Sequence, residues 1–178
     1  KNHQSGTDRL AEAIDLIQKN TNTNYDVVIN IQGDEPFIQP EQIEEIKSCF
    51  NDGNTEIATL VKKIENSEDI FGSNKPKVTF DKNSNAICFS RSPIPFIRNE
   101  EKSNWHLKHD FHRHIGMYAY KTETLIKLTK LEQSPLELAE SLEQLRWIEN
   151  GYHIKIAKTN FDSLGVDTPE DLEKILNK

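Results

Sequence analysis

Cysteine is scarce: Cys49 and Cys88 are the only two in 178 residues. That is too few for a disulfide framework or a zinc site, and it fits a reducing compartment. No apolar run approaches the length that spans a bilayer, and no signal peptide opens the chain, so neither membrane insertion nor export is expected. Basic residues are outnumbered, 22 Lys and Arg against 29 Asp and Glu, for a formal net charge of −7. With no dense Lys/Arg run, nucleic acid is not expected as the main partner. Internal repeats and low-complexity segments are also absent. These exclusions leave a soluble, cytoplasmic globular protein, long enough for one domain with a substantial core. An initial Met is missing too. The chain begins Lys1-Asn2-His3 and runs directly into a polar motif and a helix, which raises the expectation that a segment has been removed before it.

What is present is organised around Val27-Val28-Ile29-Asn30-Ile31-Gln32-Gly33-Asp34-Glu35-Pro36. It begins as a β-branched apolar run, the composition of a central strand buried on both faces of a parallel sheet. It ends in a polar turn, where Gly33 permits a tight bend or close ligand approach and Pro36 bars continuation. Asp34 and Glu35 are then left at the carboxyl end of the strand, the edge where open α/β sheets bind ligands. An ordinary acidic turn is the alternative.

Before this stretch, Leu10, Ala13, Ile14 and Ile17 recur at helical spacing. Ser5 or Thr7 is placed to cap that helix, with Asp8 in its first turn. A Ser5-Gly6-Thr7 turn also presents backbone N–H groups suited to an anion or a base edge. After it, Pro40 opens a helix whose Ile43, Ile46 and Phe50 face the core. Strands are expected at Glu56–Val61, Lys77–Phe80 and Ala86–Ser90, the last two flanking the hairpin sequence 81–85. A short helix over Glu65–Phe71 precedes them. Arg91-Ser92-Pro93-Ile94-Pro95 forces an extended exit, and residues 99–112 read as a polar loop. The last third gives a strand over His114–Tyr120 and a helix capped by Thr122. A longer helix follows from about Glu137 to Glu149, with Leu138, Leu142 and Leu145 as its apolar stripe. A strand at His153–Ala157 and a final helix capped by Asp167 or Thr168 complete the chain. Helix, strand, helix in alternation points to the layered parallel sheet of an α/β fold.

Four sets could carry chemistry. Asp34 and Asp167 both sit where an apolar segment meets a proline turn. If they meet in space they form a hard-oxygen pocket suited to Mg²⁺; a helix cap is the plainer meaning of Asp167. Arg91, after a strand and before a proline turn, can aim a guanidinium at a carboxylate or phosphate, or be a surface arginine. His114 and Tyr118 share a strand face with Gly116 between them, which leaves room for a ligand or describes a packed His/Tyr pair. Glu143 and Gln144 lie beside an apolar helical stripe, where they could bind sugar hydroxyls or face solvent.

Seven colinear stretches are more specific than any one alone. They are His3-Gln4-Ser5-Gly6-Thr7-Asp8-Arg9, Asn30-Ile31-Gln32-Gly33-Asp34-Glu35-Pro36 and Phe89-Ser90-Arg91-Ser92-Pro93-Ile94-Pro95. Arg113-His114-Ile115-Gly116-Met117-Tyr118, Gln133-Ser134-Pro135-Leu136-Glu137, Leu142-Glu143-Gln144-Leu145-Arg146 and Gly165-Val166-Asp167-Thr168-Pro169-Glu170-Asp171-Leu172 continue them. Through these the chain resembles, over nearly its whole length, the 3-deoxy-manno-octulosonate (Kdo) cytidylyltransferases of Gram-negative lipopolysaccharide synthesis. The resemblance implies a nucleotide-diphospho-sugar-transferase-like, Rossmann-like α/β fold with a layered mixed sheet. It implies a single domain, partial here, with an inserted β-rich segment over 57–112 that serves dimerisation and the sugar site.

The implied reaction is CTP + Kdo → CMP-Kdo + pyrophosphate. Asp34 and Asp167 would hold Mg²⁺, and Ser5, Gly6, Thr7 and Arg9 would line the nucleotide site with Asp34. Gln32 would lie near the sugar. Arg91 would take the Kdo carboxylate, and His114, Tyr118, Glu143 and Gln144 its hydroxyls. A homodimer is implied as well. The resemblance has two departures. Phe161-Asp162-Ser163-Leu164-Gly165 replaces a Pro-Gly-Thr-Gly type of turn, and the Arg/Lys-bearing glycine loop that grips the triphosphate in such enzymes is not in the sequence. The chain by itself is therefore expected to be N-terminally truncated and inactive, self-associating or marginally stable. A cytidylyltransferase for another acidic sugar, of sialic acid type, is a second reading, and a non-catalytic binding or dimerisation fragment a third.

Overall fold

The computed structural model describes residues 3, 5–33 and 35–162. Asp34, Asp167 and the final helix expected near Asp167 lie outside them. Six strands form one mixed sheet among the described residues. Its spine is β5 (His112–Lys121), the longest strand. One edge of β5 pairs antiparallel with β2 (Ile57–Lys63), which in turn pairs parallel with β6 (Ile154–Lys158). The other edge is shared. β1 (Val27–Asn30) pairs antiparallel with the Tyr118–Lys121 half, and β3 (Lys77–Phe80) meets it at Arg113. β4 (Ala86–Ser90) pairs with β3 beyond that. β2, the first element of the 57–112 segment, thus lies in the interior of the sheet.

Helices cover both faces. On one side α1 (Gly6–Thr21), α5 (Thr122–Leu128), α7 (Gln144–Glu149) and the turn between α6 (Pro135–Glu140) and α7 supply Ile14, Leu125, Leu128, Leu142, Leu145 and Trp147 to a core with Ile57, Val61, Tyr118 and Tyr120. On the other, Ile46 of α2 (Pro40–Ser48) packs on Ala58, Leu60, Ile115, Met117 and Ala119. Ile57–Val61 is buried throughout because both faces of β2 are covered. Each large side chain so buried contributes about 1.5–3 kcal/mol.

Several elements differ from the sequence reading. β1 was expected as a central strand of a parallel sheet, buried on both faces; its four residues are half-buried, and its only strand partner among the described residues, β5, runs antiparallel to it. Among the described residues only the β2–β6 pairing is parallel. A β-branched apolar run signals a strand, but its burial and the direction of its neighbours are set by what the fold brings alongside. Residues 99–112 are not simply a polar loop. α4 (Trp105–Lys108) turns Trp105 inward at 2% exposure, onto Ile64, Ile70 and Phe111; Ile70 comes from the short helix α3 (Ser67–Phe71). Thr122 starts α5 but does not cap it; Lys121 is the cap residue, and the Thr122 hydroxyl donates to the Tyr25 carbonyl.

The expected helix over 137–149 is two short helices. Ser141, at φ 51°, takes a left-handed conformation that ends α6. Leu138, assigned to the apolar stripe, is 61% exposed, whereas Leu142 and Leu145 are buried. The break is held by a buried ion pair that periodicity cannot register. Glu137 accepts from Arg146 Nε at 2.8 Å and Nη2 at 2.6 Å, and Arg146 Nη1 donates to the Leu131 carbonyl.

Candidate active site

The site begins at the N-terminus of α1. Ser5 caps the helix in a reciprocal capping box: its Oγ accepts from Asp8 N, and Asp8 Oδ2 accepts from Ser5 N, both at 3.2 Å. Thr7 follows in the first turn, 3% exposed, and donates from Oγ1 to Glu143 Oε2 at 3.0 Å. Glu143 immediately precedes α7, so the α6–α7 break delivers it to α1. Burial raises the Glu143 carboxyl above its ordinary range, against the pull of the Thr7 hydrogen bond. A cleft of about 280 Å³ lies here, lined by Ser5, Asp8, Ser141, Glu143 and Arg146 among others. Arg9 is exposed next to it, and its Nη2 is the nearest group to the Cα of Gly6 on the side where a Cβ would stand.

From Glu143 an aromatic group leads to His114. Trp147 meets the Tyr118 ring at 5.1 Å and the Tyr120 ring at 5.6 Å, both edge-on, and Tyr118 meets His114 at 5.1 Å. The pairing of β2 with β5 shifts between Thr59 and Leu60, whose partners are Tyr118 and Ile115. β5 therefore bulges at Gly116–Met117. The space over Gly116 is not open: a Cβ there would come within 3.3 Å of Glu35 Oε1. His114 and Tyr118 contact one another directly, with no gap between them.

His114 Nε2 is 2.9 Å from Thr59 Oγ1, and Thr59 Oγ1 donates to the Met117 carbonyl at 2.8 Å. A hydroxyl has one proton, so with that proton on Met117 the Thr59 oxygen accepts from His114. The proton is thereby set on Nε2, and Nδ1 is left as an acceptor. Burial pushes the His114 imidazole down to about 3, helped by Arg113. The ring is therefore neutral near pH 7. Burial raises the Tyr118 and Tyr120 phenols well above their ordinary value, so both stay protonated. Tyr118 Oη is buried without a well-formed hydrogen bond; Thr59 lies near it but is already committed.

Gln144, the first residue of α7, is 5% exposed, and its Nε2 has no hydrogen-bond partner among the described residues. Gln32 is half-buried just past β1, where its carbonyl accepts from Glu35 N at 3.2 Å. Arg91 is placed differently. Its guanidinium donates to the carbonyls of Glu140, Ser73 and Ser141, at 2.7, 3.1 and 3.3 Å. It straps the end of β4 to the α6–α7 turn and is neither a plain surface arginine nor paired with a carboxylate. The structure thus brings Ser5, Thr7, Glu143, Tyr118 and His114 into one neighbourhood, with Arg91 joined to it through Ser141. Sequence reasoning missed Thr59, Tyr120, Glu140 and Lys77. Of these only Lys77, the charged residue that opens the short strand β3, offered a signal that could have been used.

Asp34 and Asp167 lie outside the described residues, and among those residues no cluster of His, Cys, Asp and Glu is arranged to hold a metal. No helix among them is long and apolar enough to cross a membrane.

The sequence profile of a cytidylyltransferase family matches residues 1–158. A 3-deoxy-manno-octulosonate cytidylyltransferase of Parabacteroides distasonis is 54% identical over 98% of this chain and 69% of its own length. The Bacteroides thetaiotaomicron protein of the same name is 53% identical over 96% of this chain and 68% of its own. Among solved structures, a CMP:2-keto-3-deoxy-manno-octonic acid synthetase complexed with CTP superposes with a TM-score of 0.84 at 36% identity. That match covers 98% of this chain and 67% of the other.

Proposed function

The chain belongs to the 3-deoxy-manno-octulosonate cytidylyltransferase family, and we propose that it transfers a cytidylyl group from CTP to Kdo in lipopolysaccharide synthesis, releasing pyrophosphate. The observation that carries this reading is the Thr7–Glu143 hydrogen bond. It joins the helix start assigned to the nucleotide with the helix start assigned to the sugar, so that both substrates address one cleft.

In this reaction the anomeric hydroxyl of Kdo attacks the α-phosphorus of CTP and the bond to pyrophosphate breaks. Such a transfer asks the protein for positioning and charge stabilisation more than covalent chemistry. Backbone N–H groups at the start of α1 suit the polar edge of the nucleotide, with Arg9 beside them. Neutral His114 offers Nδ1 as an acceptor to a sugar hydroxyl, and Tyr118 offers an O–H donor. Glu143 and Gln144 supply a further acceptor and donor. Arg91 takes the sugar carboxylate once its carbonyl partners yield to an anion, a stronger acceptor for guanidinium. Gln32, just past β1, is the further candidate near the sugar. Asp34 and Asp167 are the residues that would hold Mg²⁺; their hard carboxylate oxygens fit that ion's donor preference, and the ion would neutralise triphosphate charge. A second copy of the chain, paired through the 57–112 segment, completes the proposed assembly.

The test is pyrophosphate release by the intact enzyme with CTP and Mg²⁺, with Kdo and a sialic acid supplied separately at equal concentration. Kdo-dependent release supports the reading. Preference for the sialic acid, or no release with either sugar, would overturn it.

A further inference from the structure

Arg91 is gripped by both of its own peptide groups as well as by its side chain. Its N–H donates to Glu140 Oε2 at 2.9 Å, and its carbonyl accepts from Lys77 Nζ at 2.6 Å. The other Glu140 oxygen, Oε1, accepts from Ser90 Oγ at 2.7 Å, so one carboxylate secures two consecutive residues. Lys77 is fully buried, and its Nζ makes a second hydrogen bond to the Gly72 carbonyl at 2.8 Å. A buried ammonium is costly unless hydrogen-bonded and near an anion. Burial lowers the Lys77 pKa, and the nearby Glu140 opposes that. The Ser90 hydrogen bond holds the Glu140 carboxyl below its ordinary range.

This cluster has two cations, Lys77 and Arg91, against one anion, Glu140. The anion is engaged with Ser90 and the Arg91 peptide and makes no bond to the guanidinium. All three acceptors of the guanidinium are neutral carbonyls. A carboxylate offers a guanidinium full negative charge and bidentate geometry, which a neutral carbonyl lacks, so these bonds are exchangeable for an incoming anion. The bonds to the Arg91 peptide groups come from charged, buried or half-buried partners and stay in place during the exchange. Glu140 also ends α6 directly before Ser141, three residues ahead of Glu143. The same carboxylate therefore sets the distance between Arg91 and the hydroxyl-binding pair Glu143 and Gln144.

We propose that Glu140 and Lys77 are positioning residues of the acidic-sugar site, fixing the backbone on both sides of Arg91 so that its guanidinium can leave the Ser73, Glu140 and Ser141 carbonyls for the sugar carboxylate while the end of β4 holds its place. The proposal rests on the reading of Arg91 as the carboxylate ligand. Glu140 contacts no substrate; it acts through Arg91.

Steady-state kinetics of the intact enzyme, with Kdo and CTP varied in turn, provide the test for Glu140→Gln, Lys77→Met and Arg91→Lys. Glu140→Gln is close in shape, so it retains the fold, and its unfolding transition is recorded alongside. It is expected to raise the KM for Kdo about tenfold and leave the KM for CTP unchanged. Lys77→Met is expected to move the same constant in the same direction; if it does not fold, Glu140→Gln decides alone. If Glu140→Gln shifts both KM values equally, or neither, the proposal is overturned and Glu140 is only a structural clasp. Arg91→Lys separates the two levels. An unchanged Kdo KM in Arg91→Lys removes the reading of Arg91 itself, and the positioning role with it. A raised Kdo KM there, beside an unchanged one in Glu140→Gln, overturns the positioning role alone.

Discussion

Thr7 and Glu143 lie 136 residues apart in sequence and 3.0 Å apart in space, the Thr7 hydroxyl donating to a carboxylate that burial has pushed toward its neutral form. One hydrogen bond thus ties the first turn of α1 to the start of α7. Thr7→Val removes the donor and leaves a desolvated carboxylate short of a partner, at a cost of about 1–3 kcal/mol. Urea denaturation should show that loss, and Thr7→Ser should recover most of it. The KM values for both substrates should rise in Thr7→Val, because each half of the cleft leans on the other. Equal stability and unchanged KM values in the valine variant would contradict the coupling.

Arg146 and Glu137 form a bidentate pair with side chains only 10% and 8% exposed. Removing one partner leaves a buried charge unpaired. Arg146→Met should therefore destabilise by about 3–5 kcal/mol. The double variant Glu137→Leu with Arg146→Met should regain much of that, since two apolar side chains replace the pair without an orphaned ion. A double-mutant cycle in guanidinium chloride measures the coupling; additive losses would place the stabilisation elsewhere.

His114 makes acid stability predictable in sign. Its folded pKa, about 3, lies below the unfolded value near 6.5. Between these values the unfolded chain binds a proton that the folded chain refuses, so stability falls as pH drops from about 6.5 toward 3. The slope contributed is at most ~1.4 kcal/mol per pH unit. Above pH 6.5 the group contributes no pH dependence. Chemical denaturation across pH 4–8 should show a shallower acid limb in His114→Asn than in the parent protein. Identical limbs would mean that the ring is not held neutral.

Chelation probes the proposed metal carboxylates. EDTA should abolish turnover and Mg²⁺ should restore it, whereas Asp34→Asn and Asp167→Asn should stay at least ~100-fold below the parent in kcat when Mg²⁺ is returned. Full rescue of either variant by Mg²⁺ would remove that carboxylate from the metal site. Circular dichroism would establish that the variants are folded.

Most elements were legible in the sequence because their signals are local. Ser5 with Asp8, and Pro40, mark helix starts by chemistry that acts within one turn. The 81–85 hairpin announced itself in the same way, with Asp81 accepting from Asn83 N and Asn85 N. The candidate site was legible as motifs: Ser5, Thr7, His114, Tyr118 and Glu143 were named from the chain and stand together in the structure. Their partners were not legible, since nothing local links Thr59 to His114 or Glu140 to Arg91.

By itself, then, the sequence determined the α/β alternation, the Ser5 cap of α1, the hairpin and the family. All of these depend on residue type, short spacings or colinear order. Only the tertiary structure decided that β1 has β5 as its neighbour, that Ser141 splits the expected 137–149 helix, that Trp105 turns a polar-looking loop inward, and that the guanidinium of Arg91 rests on carbonyls. Three of those outcomes are set by contacts between residues distant along the chain, β1 with β5, Glu140 with Ser90 and Arg91, and Trp105 with Ile64 and Ile70; the Ser141 break is held by the Glu137–Arg146 pair, which only the fold buries. Burial, pairing and charge there depend on what the fold brings alongside, which periodicity does not encode.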